Sequence, residues 1–185
     1  MPINHSSQYS DMTDEQYTLI GKIIVEFSNL DFLIGQLLCR LLITPEFLGR
    51  TFTDNMYVSK RISAIENALE IHDVRYSNKI VSEVSANEIK SLLRSSQKIQ
   101  KLRNKFSHYC WSRWDDSKVF GTKLSGKVPN LHNPNHDSIT ITNSEIEKEY
   151  KKVYELVKAF QLVIDKIPEL QEDKDLIKAL FKKDD

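Results

Sequence analysis

Cysteine is nearly absent: Cys39 and Cys110 are the only two in 185 residues. They stand far apart in no Cys-x-x-Cys pattern, so neither a disulfide framework nor a zinc knuckle is expected, and a reducing cytoplasm suits the chain. Net charge is also missing, because 26 basic side chains balance 26 acidic ones. Nothing global draws such a protein to nucleic acid or an anionic membrane, and any attraction of that kind must come from local clustering. Long apolar runs are absent too. The best candidate, Leu30 to Ile43, is interrupted by Asp31, Gln36 and Arg40 and falls short of the roughly 18 residues a membrane helix needs. The polar start, Met1 to Gln16, has no basic n-region or apolar core of a signal peptide. A soluble, cytoplasmic protein without membrane contact is the expectation.

What the chain does have is helical periodicity, with 40% apolar residues, enough for one domain with a core. Thr13 and Gln16 make a capping-box start. From there Leu19, Ile20, Ile23, Ile24, Phe27, Leu30, Ile34, Leu37, Leu38, Leu41 and Leu42 recur at helical spacing up to Thr44-Pro45. A second helix is expected from about Asp54 to His72, and a third from near Val84 to about Cys110, free of Gly and Pro. Trp114 to Asp137 is rich in Asp, Asn, Gly and Pro, while Val119-Phe120 and Ser138 to Thr142 read as short strands. A capping box at Thr142/Glu145 or Ser144/Glu147 opens a fourth helix that runs to Ile167, and a short charged helix from Asp173 to Lys182 follows. The expected fold is therefore all-α. It is an up-and-down bundle of four to five helices with a small β-hairpin or loop insert, about residues 114–142, before the last long helix. Residues 1–12 are expected to be a flexible segment ahead of a single domain, 13–185.

The neutral total hides a basic element. No acidic residue occurs between Glu88 and Asp115, while Lys90, Arg94, Lys98, Lys101 and Lys105 step by three or four and so share one helix face. Such a stripe can follow a phosphate backbone through a salt-dependent attraction that ignores sequence. On charge alone, a face of this kind is more often simply solvated.

At the end of this helix lies Leu102-Arg103-Asn104-Lys105-Phe106-Ser107-His108-Tyr109-Cys110-Trp111. It resembles the Arg-x(4–6)-His signature of HEPN domains, including a polar residue directly after the Arg. Ile20 to Asp31 is similar to the long first helix of many bacterial HEPN proteins, with Asp31 as the acid that follows Leu30. The resemblance covers roughly Thr13 to Cys110 and the fourth helix. Cys110 stands where some HEPN toxins carry a Tyr. The family implies a metal-independent endoribonuclease of the toxin or antiviral-defence kind, without a cofactor, in which Arg103, Asn104 and His108 form the site.

The chemistry of these residue types agrees. An imidazole with an ordinary pKa near 6.5 can give or take a proton at neutral pH, and a guanidinium fork can hold a phosphate. Lys98, Lys101, Lys105 and Arg94 would bind the RNA; Ser107, Tyr109 and Asp31 would support the site. Trp111 would either pack or stack on a base. Residues five apart on a helix diverge by about 140°, so Arg103 and His108 of one chain do not converge. A homodimer whose third helices face each other would bring both pairs into one cleft, as HEPN domains do, and the family implies a partner antitoxin as well. The rival readings are a non-catalytic HEPN module that binds RNA or nucleotide or merely dimerises, and a helical adaptor with no nucleic-acid role.

Two other motifs are set aside. Gly121 to Val128 looks like a phosphate loop, but Val128 replaces the metal-binding Ser or Thr and Pro129 prevents a helix from starting. His132 and His136 are separated by Pro134, so they cannot be presented one helical turn apart. His72, at the expected end of the second helix, is assigned to the helix dipole.

Overall fold

The computed structural model describes residues 10–123 and 138–170. Five helices and three strands follow in the order α1 (Asp14–Leu41), α2 (Glu46–Thr53), α3 (Val58–Tyr76), α4 (Glu83–His108), β1 (Cys110–Asp115), β2 (Lys118–Thr122), β3 (Ser138–Thr142) and α5 (Asn143–Ile164). The strands form one antiparallel sheet in the order β1-β2-β3. The chain is thus mainly helical rather than all-α, and the expected hairpin is part of a three-stranded sheet. Its first strand starts at Cys110, earlier than the expected insert, because α4 ends at His108 and the alternating run that follows pairs Trp111 with Gly121 and Arg113 with Val119. The phosphate-loop lookalike begins inside β2, at Gly121; its remainder from Leu124, together with His132, His136 and the helix expected at Asp173 to Lys182, lies outside the described residues.

The described residues fall into two compact units. One lies within Met1–Asn29 and Ser96–Leu156, the other within Leu30–Ser95 and Val157–Asp185.

In the first unit, both capping boxes form. The Gln16 backbone N–H donates to Thr13 Oγ1 at 3.2 Å while the Thr13 N–H reaches Gln16 Oε1 at 3.0 Å. The Gln16 side chain, 0% exposed, also donates from Nε2 to the carbonyls of Asp115 (2.8 Å) and Lys118 (3.1 Å), clamping the β1–β2 turn. At the start of α5, the Glu145 N–H donates to Thr142 Oγ1 at 3.1 Å, and Glu145 Oε2 accepts from the Thr142 N–H at 2.9 Å. One face of the sheet, carrying Val119, Gly121 and Ile141, is buried; Ile23, Phe27, Phe106, Ile146 and Val153 are buried in the same unit.

The second unit is built on the rest of α1. Its Leu33, Ile34, Leu37, Leu38 and Leu41 are buried, as are Ile62, Ile65 and Leu69 of α3 and Ile89 and Leu93 of α4. Helix α1 stops in a left-handed cap: the Ile43 N–H donates to the Arg40 carbonyl and the Thr44 N–H to the Cys39 carbonyl, with Ile43 at φ 52°. The Arg40 Nη1 then caps the far end of α5 through the carbonyls of Ile164 and Ile167, and Nη2 pairs with Glu169 at 3.1 Å.

The helix expected from Asp54 to His72 runs instead from Val58 to Tyr76 as α3, and the short α2 precedes it in a stretch to which the sequence pattern assigns no helix. From α3, Arg61 donates from Nε to the Thr53 carbonyl (2.8 Å) and from Nη1 to the Asp31 carbonyl (2.9 Å), tying α1, α2 and α3 together. Gly49 of α2 lies so close to α1 that a Cβ there would sit 2.6 Å from Cys39 Sγ. Because α3 continues to Tyr76, His72 is not at a helix end. It is buried, and its Nε2 donates to the Leu41 carbonyl at 2.8 Å.

Candidate functional site

Helix α4 begins on Ser82, whose Oγ accepts the Ser85 N–H at 3.1 Å, and has Glu83 in its first turn, where a carboxylate favours the helix dipole. Ala86, Ile89, Leu93, Ser96 and Phe106 are buried along one side. On the other, Lys90, Arg94, Lys98 and Lys101 are exposed and Lys105 is half-buried. The spacing seen in the sequence therefore leaves all five cations outside the buried side of α4. Among the described residues none of these five has an ion-pair partner, whereas Lys151, Lys152 and Lys166 pair with Glu147, Glu149 and Glu88. Lys90 and Arg94 lie on the stretch of α4 in the second unit; Lys98 to His108 belong to the first.

At the C-terminal end of this face, half-buried Arg103 donates from Nη1 to Asn104 Oδ1 at 3.4 Å, and Gln100 Nε2 approaches the same oxygen at 3.5 Å. The amide oxygen of Asn104 is thus turned towards these donors, which leaves its NH2 group for another acceptor. His108, the last residue of α4, is exposed and has no side-chain hydrogen-bond partner among the described residues. It is one turn beyond Asn104 on the same face, but no bond joins them. Ser107 is exposed and Tyr109 half-buried. Asp31, in the second unit, is half-buried, and its carbonyl serves Arg61.

The two tryptophans divide the roles that sequence left open for one. Trp111 is half-buried and stacks on Phe106 with ring centroids 5.0 Å apart, and its Nε1 reaches the Phe106 carbonyl at 3.4 Å. It also lies against Gly121 of the next strand, where a Cβ would come within 2.7 Å of the indole. Trp111 therefore packs, fastening β1 to the end of α4. Trp114 does the opposite: it is 65% exposed, 6.1 Å from the Phe120 ring, and sits at the irregularity between Arg113 and Asp115 where the strand register shifts. Bulges of this kind re-aim a side chain. Trp114 was not singled out in the sequence; the signal was the alternation from Cys110 to Trp114, which puts Trp111 and Trp114 on opposite sheet faces.

Elsewhere in the first unit, at the β1–β2 turn and the start of α5, hydrogen bonds favour the ionised form of two carboxylates. The side-chain and backbone donors of Ser117 keep Asp115 below its ordinary range, and the Thr142 N–H and hydroxyl do the same for Glu145. Among the described residues no group of three His, Cys, Asp or Glu side chains is placed to hold a metal ion. No single described helix is long and apolar enough to cross a membrane. No family model, curated protein or solved structure matches this chain.

Proposed function

We propose that this chain is a HEPN-type endoribonuclease of the toxin or antiviral-defence kind, an up-and-down helical bundle that works in the cytoplasm as a homodimer and is restrained by an antitoxin protein. The observation that carries the reading is the run of Lys90, Arg94, Lys98, Lys101 and Lys105 on α4, which have no ion pairs among the described residues, followed at the end of the helix by Arg103, Asn104 and an exposed His108. Phosphates are held along Arg94, Lys98, Lys101 and Lys105. At the scissile position the substrate's 2′-oxygen bonds to phosphorus as the P–O5′ bond breaks, giving a 2′,3′-cyclic phosphate and a free 5′-hydroxyl. The 2′-hydroxyl proton passes to a neutral imidazole, and the leaving 5′-oxygen takes one from an imidazolium. Arg103 stabilises the charge that builds on the phosphoryl oxygens, and the Asn104 NH2 donates to the same group.

The roughly 140° between Arg103 and His108 on one helix is why the reaction needs two copies, with one His108 as base and the other as acid. A base further along the bound strand stacks on exposed Trp114 rather than on Trp111. Incubating the purified protein with single-stranded RNA in EDTA, beside His108→Ala and Arg103→Ala variants, tests this. Wild-type cleavage that both substitutions abolish is expected; cleavage that survives both removes the site. The absence of a hydrogen-bond partner to orient His108 among the described residues favours one second reading, a non-catalytic module that binds RNA. It gives salt-sensitive binding with no product.

A further inference from the structure

Helix α2 is built inside out. Its inner surface is small, with Gly49 and Thr53 buried, while Phe47 (75% exposed), Leu48 (57%) and Phe52 (69%) face solvent. Leu42 and Ile43 lead into it, and Tyr57, 84% exposed, follows it. Taken together these six side chains leave on the order of 800 Å² of largely apolar surface in water, about one partner's share of a standard interface. Ile43 adds an independent observation. It occupies the left-handed position of the α1 cap, at φ 52°, where glycine is the unstrained choice and a β-branched residue is an outlier. Its side chain is 46% exposed, so packing within the chain accounts for only part of what keeps it there.

We propose that this face is the surface by which two copies of the chain associate, α2 against α2 across a two-fold axis. The charges around it decide the occupant. Arg50 is the only cation between Leu41 and Ser59, and it is already neutralised by Glu46 (3.1 Å) and Asp54 (3.2 Å) while covering the Phe32 ring. RNA finds no free cation on α2 itself, the next one being Lys60 in α3, and a helix lying in a membrane surface would carry lysines on its polar side. A face that is apolar, uncharged and of this area needs only its own image, which is what an isologous dimer provides. The proposed nuclease requires two copies, but this inference rests on α2 alone and stands whether or not the chain cleaves RNA.

Sedimentation velocity of the full chain over a concentration series tests it. The wild type is expected to be a dimer at micromolar concentration, and Phe52→Glu or Leu48→Glu to weaken it by roughly 30-fold or more. Both positions are exposed, so thermal melts by circular dichroism should stay near wild type. Val25→Glu, at an exposed position of α1 that belongs to the other compact unit, should leave the dimer intact. Ile43→Gly is the sharper variant: it should melt no lower than wild type yet dimerise less tightly, an outcome a merely structural isoleucine would not give. A wild type that stays monomeric throughout, a dimer indifferent to the α2 substitutions, or a monomer that floats with phosphatidylcholine vesicles would each overturn the proposal.

Discussion

Helices α2 and α4 each turn an unusual face to solvent, and the two faces are chemical opposites. Helix α4 is 26 residues long, starts on a side-chain cap and buries a regular stripe of Ile89, Leu93 and Phe106, so its outer face is free to carry cations that no carboxylate neutralises among the described residues. Helix α2 has eight residues, too few to persist alone, and no side-chain cap; Gly49 against Cys39 and the Arg61 bond to the Thr53 carbonyl hold it in place. Its apolar residues are then left outside. An exposed cationic face is matched to a polyanion, whereas an exposed apolar one is matched to another apolar face, so changes in α4 should act on RNA with association intact, whereas changes in α2 should act first on association and reach cleavage only through it.

The largest effect expected is on α4. His108→Ala should slow RNA cleavage by about 10²–10⁴-fold, the usual contribution of a positioned acid or base, and leave sedimentation unchanged. A variant that cleaves normally, or that also dissociates, breaks the separation between the helices. Next is the stripe. Replacing Lys98, Lys101 and Lys105 together by Gln should flatten the log–log salt dependence of RNA affinity by about two, read by fluorescence anisotropy, with no change in thermal melting. An unaltered slope would mean that the face is simply solvated.

Gly49→Ala acts on the other helix. The new methyl group meets Cys39 Sγ and Cβ, so unfolding should become easier by about 1–3 kcal/mol in urea titrations, without a change in RNA affinity per folded molecule. The smallest effect lies at the start of α5. The Glu145 carboxyl is held below its ordinary value by Thr142, so its stabilising contribution is complete above the ordinary carboxylate range and fades as pH falls through the lowered value. Glu145→Gln should cost little at neutral pH and reduce the loss of melting temperature on acidification.

What could be read from sequence was what depends on neighbours in the chain. The Thr13/Gln16 and Thr142/Glu145 caps are three-residue patterns, and the α4 stripe needs only helical spacing; all three are present. Helix α2 was missed because its inner face consists of Gly49 and Thr53, which carry no apolar periodicity. Strand β1 is not legible because the helical pattern runs to about Cys110 and the polar insert begins at Trp114, which leaves only a few residues between them; pairing with β2, itself paired with β3, is what makes Cys110–Asp115 a strand. The different fates of Trp111 and Trp114 depend on that register, which is long-range information.

The Gln16 clamp has a consequence for how the chain reaches its fold. Its two bonds join the first turn of α1 to carbonyls 99 and 102 residues later, so the first helix cannot be secured until the β1–β2 turn exists. Local helices can form in microseconds, but closing a loop of that length around a hairpin is a late event. Gln16→Ala should therefore speed unfolding far more than it slows refolding, placing the N-terminal lock among the last contacts made and the first released.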